Sequence, residues 1–152
     1  MSSGFSLIDF LKIKRDDFFD SESIIALGDH SIDDESIDDR LYVSFSDVKL
    51  QFIFELDDDD DFYLSTVFLE RCDYIVSNME SLLGLDISFD AGRDVVRSLL
   101  GEPKERGKFG QKTILGVVPP WDKYFLDTGK ASLHFQYSFD SLGVDKITLQ
   151  CE

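Results

Sequence analysis

Leu41-Tyr42-Val43-Ser44-Phe45, Ser46-Asp47-Val48-Lys49, Leu50-Gln51-Phe52-Ile53-Phe54 is the stretch whose reading decides the fold. Two runs rich in aromatic and branched side chains favour extended backbone, and the four polar-leaning residues between them suit a hairpin turn. The next residues, Asp57 to Asp61, are five adjacent carboxylates, which repel one another too strongly to share a strand or a helix. They are read as a turn, after which Phe62 to Leu69 forms a third strand. Residues 73–84 then change period: Ile75, Val76, Met79, Leu82 and Leu83 fall on one helical face, and Gly84 closes the helix.

Upstream, Ser6 can cap a short helical pattern through Leu7, Phe10, Leu11 and Lys14. A second short helix, started by Ser21 or Ser23, runs through Ile24, Ile25 and Leu27 to Gly28. Residues 29–39 carry Asp33, Asp34, Glu35, Asp38 and Asp39 with little apolar pattern, and are expected to form an exposed acidic loop. Downstream, Ser88 or Asp90 is expected to cap a helix burying Val95, Val96, Leu99 and Leu100, stopped by Gly101 and Pro103. Residues 104–112 read as a basic loop. Strands are expected at Thr113–Val118, Lys123–Leu126, Ser132–Tyr137 and Val144–Gln150, with Asp127-Thr128-Gly129-Lys130 as a tight turn.

The halves align without a gap at an offset of 83, Asp39-Arg40-Leu41-Tyr42 with Asp122-Lys123-Tyr124-Phe125 and Leu50–Phe54 with Leu133–Tyr137. A helix ending in Leu-Gly precedes each, at Leu27-Gly28 and at Leu100-Gly101. The expectation is a single α+β domain over 1–152. It would hold antiparallel sheet and a few short helices, in two similar helix-plus-hairpin halves, 5–72 and 88–152.

Charge is distributed as unevenly as pattern is even. Of a net −16, residues 1–91 hold 23 acidic against 6 basic side chains, and residues 92–152 hold 8 against 9. Such a field repels nucleic acid and anionic membrane and speeds encounter with a basic partner. No apolar run approaches the roughly 20 residues of a membrane span, and the first residues lack the pattern of a secretory signal. Cys72 and Cys151 do not make a disulfide framework. A reduced, cytoplasmic setting is the expectation.

The chemistry-bearing residues do not assemble into a motif. His30 and His134 lack an oriented partner at readable spacing, and neither cysteine sits in a zinc or redox pattern. Gly107 and Gly110 satisfy no phosphate-loop fingerprint. Asp57, Asp58, Asp59, Asp60 and Asp61 lack the alternation, turn glycine and distal glutamate of a calcium loop. The expectation is therefore no enzyme, no cofactor and no metal. The two acidic segments instead suit a protein contact, with Tyr42, Phe62 and Tyr63 as aromatic anchors. Trp121, behind Pro119-Pro120, is expected to pack at a sheet edge or over the second hairpin, with exposure at an interface as the alternative.

Three segments resemble bacterial immunity proteins of contact-dependent growth inhibition and related polymorphic toxin systems. They are Val95-Val96-Arg97-Ser98-Leu99-Leu100-Gly101-Glu102-Pro103, Leu115-Gly116-Val117-Val118-Pro119-Pro120-Trp121-Asp122-Lys123-Tyr124 and Leu133-His134-Phe135-Gln136-Tyr137. The resemblance covers about a third of the chain. It implies a cytoplasmic antidote that binds a cognate toxin domain, expected to be a nuclease with a basic cleft, and blocks its active site or substrate path. Two other readings fit the same acidity: a chaperone or adaptor for a basic secreted client, and a hydrolase built from dispersed carboxylates.

Overall fold

Alternation along the strands places one set of side chains on each side of a sheet, and burial tells the sides apart. The structure is a computed structural model that describes residues 6–35, 39–84, 87–107, 111–113, 116–126, 131–139 and 142–151. Its first four strands are β1 (His30–Glu35), β2 (Arg40–Phe45), β3 (Leu50–Leu56) and β4 (Phe62–Glu70). The later strands are β5 (Glu105–Gly107), β6 (Gln111–Thr113), β7 (Gly116–Val118), β8 (Trp121–Phe125), β9 (Ala131–Tyr137) and β10 (Val144–Cys151). Short helices α1 (Leu7–Phe10), α2 (Arg15–Asp20) and α3 (Glu22–Ile25) precede β1, and α4 (Asp73–Leu83) and α5 (Arg93–Leu100) join the halves. This is an α+β fold.

Eight strands form one sheet in the order β1-β2-β3-β4-β10-β9-β8-β5, with every neighbour antiparallel, while β6 and β7 pair separately. The order is a palindrome about the β4–β10 pair. The segments that align at offset 83 lie in β2 against β8 and in β3 against β9, at mirrored places in the sheet.

One face of the sheet is the core. Leu41 and Val43 on β2, Phe52 and Phe54 on β3, Val67 and Leu69 on β4, Ile147 and Leu149 on β10 and Leu133, Phe135 and Tyr137 on β9 are buried there. The helices cover them with Leu7, Phe18, Ile24, Ile75, Met79, Leu82, Leu83 and Val96, in a single cluster. Phe18 of α2 meets Phe52, Phe54 and Phe19 edge-on at centroid distances of 4.9, 5.0 and 5.1 Å. The other face carries Tyr42, Gln51, Phe68, Lys146, Thr148, His134, Gln136, Trp121 and Lys123, all half-buried, while among the described residues the buried helix side chains cluster with the core face.

Several expectations need correction. Residues 30–35 are not loop but the edge strand β1, in register with β2 from His30–Phe45 to Glu35–Arg40. An edge strand needs little apolar pattern, because its pairing comes from backbone, and its charges discourage further pairing. Within 104–112, Glu105–Gly107 is the opposite edge strand, paired with β8. The expected strand Thr113–Val118 is instead two short strands, β6 and β7, paired antiparallel with Thr113 opposite Gly116. Helix α5 starts after Gly92, with no side-chain cap; the Ser88 hydroxyl accepts from the Asp90 amide one turn earlier. Its Val95 and Leu99 are 49% and 57% exposed, because Arg93, Val96, Arg97 and Leu100 face the sheet. The expected turn at 127–130 lies outside the described residues.

Candidate protein-docking face

The strand order decides where the carboxylates go. The β1–β2 and β3–β4 connections leave the same end of the sheet, while Ser46–Lys49 turns at the other. Two strand spacings, about 10 Å, therefore separate the two acidic connections. In the first, Asp39 is described and takes the left-handed conformation with φ 53°. Asp38 lies outside the described residues, as do the side chains of Asp34 and Glu35. Asp33, exposed on β1, is the register partner of Tyr42 on the helix-free face.

The Asp57–Asp61 run divides its labour. One oxygen of Asp57 accepts the amides of Asp59 and Asp61 at 2.8 and 3.0 Å, and the Asp57 amide donates to the Asp61 carbonyl at 2.9 Å. The other Asp57 oxygen pairs with the Lys14 ammonium. The hydrogen bond from Lys14, then the turn amides, hold the Asp57 carboxyl below its ordinary range. Asp57 is thus the staple of the turn, and Asp58, Asp59, Asp60 and Asp61 are exposed. Lys14 is placed by backbone. Beyond the Gln150–Thr66 pair, Lys12 donates to the Leu64 carbonyl at 2.8 Å and Leu64 donates to the Ile13 carbonyl at 2.9 Å, continuing the edge of β4.

Of the three expected anchors, Tyr42 and Tyr63 lie on the helix-free face, Tyr63 opposite Glu55 in the β3–β4 register. Phe62 points the other way, against the core, with the Arg15 guanidinium 5.3 Å from its ring centroid. The structure therefore brings Asp33, Tyr42, Tyr63 and the Asp58–Asp61 turn to one end of the sheet and leaves Phe62 out.

At the far side of the same face lies a second aromatic group that the sequence reading only half saw. Trp121 stacks on His134 with centroids 5.0 Å apart and planes 27° off parallel. Its other neighbour is Gly107, its register partner on the edge strand. A Cβ on Gly107 would sit 2.0 Å from the indole Nε1 and 2.4 Å from Cδ1. The glycine is there because the ring lies across its backbone. Gly107→Ala is expected to push the indole off His134 and to cost about 1–3 kcal/mol. Trp121 is the single tryptophan, so a red-shifted emission with an earlier urea midpoint is the readout, and unchanged emission would rule the contact out.

What fixes the angle of α5, and with it the edge of this face, is a buried charge cluster. Asp122, on the core side of β8, is 0% exposed. It accepts from Arg97 at 2.8 and 3.0 Å, from Arg93 at 2.9 Å and from the Tyr137 hydroxyl at 2.9 Å. Arg93 also donates to the Gly107 carbonyl at 3.0 Å, tying α5 to both β5 and β8. Burial, the largest influence, would raise the Asp122 carboxyl. The hydrogen bonds from Arg97, Arg93 and Tyr137 together outweigh it and hold the group below its ordinary range. Tyr124, one register step along, donates to the Gly101 carbonyl at 2.9 Å, and burial followed by the Asp122 charge pushes its phenol up to about 12. A signal for this cluster exists in the sequence: Asp122 shares its strand face with Tyr124, and Arg93 and Arg97 are four apart. The pairing between them spans more than twenty residues and leaves no local pattern.

The charge asymmetry of the sequence becomes spatial in the sheet. The acidic half is β1 to β4 and the near-neutral half is β10 to β5, so the helix-free face runs from carboxylates with tyrosines to Lys146, Lys123, His134 and Trp121. Among the described residues, no three His, Cys, Asp or Glu side chains are grouped as a metal ion would require, and no helix is long and apolar enough to cross a membrane.

No family model matches the chain. No curated protein matches it. Among solved structures, a DUF4309 family protein, YjgB of Bacillus subtilis subsp. subtilis str. 168, is similar to it at 17% identity with a TM-score of 0.38, over 68% of this chain. The chain spans 58% of that protein's length.

Proposed function

We propose that this chain is an immunity protein, a cytoplasmic antidote that binds a cognate bacterial toxin domain with a basic surface and neutralises it. The observation that carries the reading is the convergence of the two acidic connections at one end of a helix-free sheet face. Tyr42 and Tyr63 stand beside them as anchors. Exposed carboxylates at that end attract a basic cleft from a distance, and flanking aromatics supply the desolvated contacts that hold it. A nuclease is the toxin class whose cleft such a surface fits best, since that cleft is built to receive a chain of phosphates, which the carboxylates imitate.

The turn geometry sharpens the test. Asp57 holds the loop together, so the informative variant leaves it in place and changes Asp58, Asp59, Asp60 and Asp61 to asparagine. Capture from the native host's lysate at low and high salt, read by mass spectrometry, identifies the partner. Stopped-flow mixing then compares association of that partner with the wild-type chain and with the variant. Association is expected to slow by about tenfold to a hundredfold at low salt, with dissociation little changed. Equal association rates would remove the electrostatic basis of the proposal. Capture of many unrelated basic clients would replace the antidote with a chaperone.

A further inference from the structure

We infer that the outer edge of β1 is a docking site for an extended segment of another protein whose side chains alternate apolar and basic. β1 ends the sheet, and among the described residues no strand pairs with its outer side. The Ser46 amide donates to the Asp29 carbonyl at 3.2 Å, and the register runs on without a shift from His30–Phe45 to Glu35–Arg40. Hydrogen-bonded pairs alternate along an antiparallel ladder. Ser31, Asp33 and Glu35 therefore bond to β2, and the N–H and C=O groups of His30, Ile32 and Asp34 point outward. A strand laid about 4.8 Å beyond β1 would take up these groups.

The side chains at the edge say what kind of strand fits. Ile32 is the register partner of Val43 and so lies on the core side, yet it is 51% exposed. Ile25 of α3 is 64% exposed. It lines a cleft of about 390 Å³ with Phe19, Ile24, Gly28, Asp29 and His30. The apolar layer under the helices thus continues, uncovered, to the edge of the sheet. Alternate side chains of an added strand would fall on Ile32 and into this cleft, where apolar groups gain most. The others would fall on the opposite side, beside exposed Asp33.

Charge decides between occupants. Residues 16–39 hold ten acidic side chains and no lysine or arginine. Two copies of β1 laid edge to edge would set carboxylates against carboxylates, which opposes pairing of the chain with itself. A basic strand meets attraction where a second copy meets repulsion.

Amide hydrogen exchange followed by NMR reads the edge directly, because each outward amide has an inward neighbour as its control. In the dilute free protein, His30, Ile32 and Asp34 are expected to exchange faster than Ser31, Asp33 and Glu35. The probe is acetyl-Lys-Val-Arg-Val-Lys-Val-amide at about 0.15 M salt. At saturation it is expected to slow the three outward amides at least about tenfold. Two controls, acetyl-Lys-Lys-Arg-Val-Val-Val-amide and acetyl-Glu-Val-Glu-Val-Glu-Val-amide, should each bind at least about tenfold more weakly. Absence of protection by the probe overturns the site. Equal binding of the first control overturns the alternation, and equal binding of the second overturns the charge assignment. Protection that grows with the concentration of the chain alone makes a second copy the occupant and overturns the basic strand.

Two variants test the edge from the protein side. Ile32→Pro removes one outward donor and sets a ring on the edge, while the bonds from Ser31 and Asp33 to β2 remain. It is expected to abolish the protection at His30 and Asp34. Ile32→Lys keeps every backbone donor and is expected to weaken the probe at least about tenfold, through the lost apolar contact and the like charge. Wild-type affinity in Ile32→Lys overturns the site, whether or not the proline variant folds. The site does not rest on the antidote reading. Changing Asp58–Asp61 to asparagine, on the β3–β4 turn, is expected to leave the probe's affinity unchanged at that ionic strength, so either proposal can fail without the other.

Discussion

Replacing Asp122 with asparagine is expected to lower folding stability by about 3–5 kcal/mol, the cost of breaking a buried ion pair from one side. The variant leaves Arg93 and Arg97 turned toward each other around a neutral amide, with the Tyr137 hydroxyl still aimed at it. For a chain of this size the midpoint of thermal unfolding should fall by roughly 6–20 °C. The effect has a pH signature. The Asp122 carboxyl titrates below its ordinary range when folded, so its contribution is fully present above the unfolded value of about 3.9 and is lost as pH falls through the folded one. Urea unfolding of both proteins at neutral pH and at a series of acid values should show a constant gap that closes only below about pH 4. A gap that persists undiminished in acid would mean that shape, not charge, holds α5 to the sheet.

Phe18→Ala is the counterpart in the other half, and about 3–5 kcal/mol is again expected. Here the buried anchor of the helix is the Phe18 ring. Phe18 is 0% exposed and meets Phe52 and Phe54 edge-on at 4.9 and 5.0 Å. Truncation leaves a cavity among rigid rings that cannot collapse around it. The ring partners of Phe18 are Phe19, Phe52 and Phe54, none of which ionises, so the loss should be the same at every pH where the wild type is folded. Measured beside Asp122→Asn, it makes an internal control: a pH-dependent gap in both variants would point to a general acid effect rather than to the Asp122 cluster. The halves thus share a plan of strands but not the chemistry that fastens helix to sheet.

That difference explains what the sequence could reveal. Strands β2, β3, β4, β8, β9 and β10 bury one face, and burial writes itself into local pattern. Helix α4 was legible for the same reason, its Ile75, Met79, Leu82 and Leu83 all buried, although Val76, read onto the same face, is 41% exposed. Edge strands β1 and β5 were not, because His30–Glu35 and Glu105–Gly107 are held by backbone pairing that any side chain permits. The face of α5 was half legible: Val96 is buried and Leu100 packs against the core, but an apolar pair, Val95 and Leu99, signals burial unless two arginines have a better reason to turn inward. That reason, Asp122, lies beyond the reach of a local window. Of the candidate docking face, composition gave the acidity and the candidate residues. The closeness of the two acidic connections came only from strand order, and so did the separation of Phe62 from Tyr42 and Tyr63.

The palindromic order has a consequence for how the molecule is made. Strands β1 to β4 are a meander of neighbours and can zip together as soon as they leave the ribosome. The partner of β4 on its other side is β10, which follows all the other strands of this sheet in chain order; Lys146 pairs with Glu70 and Ile147 with Leu69 across half the chain. Until then β4 offers an open edge backed by Val67 and Leu69. Closing such a distant pair is slow for entropic reasons. The negative charge of the first half, 23 acidic against 6 basic side chains over residues 1–91, is expected to oppose pairing of unfinished chains with one another through that edge.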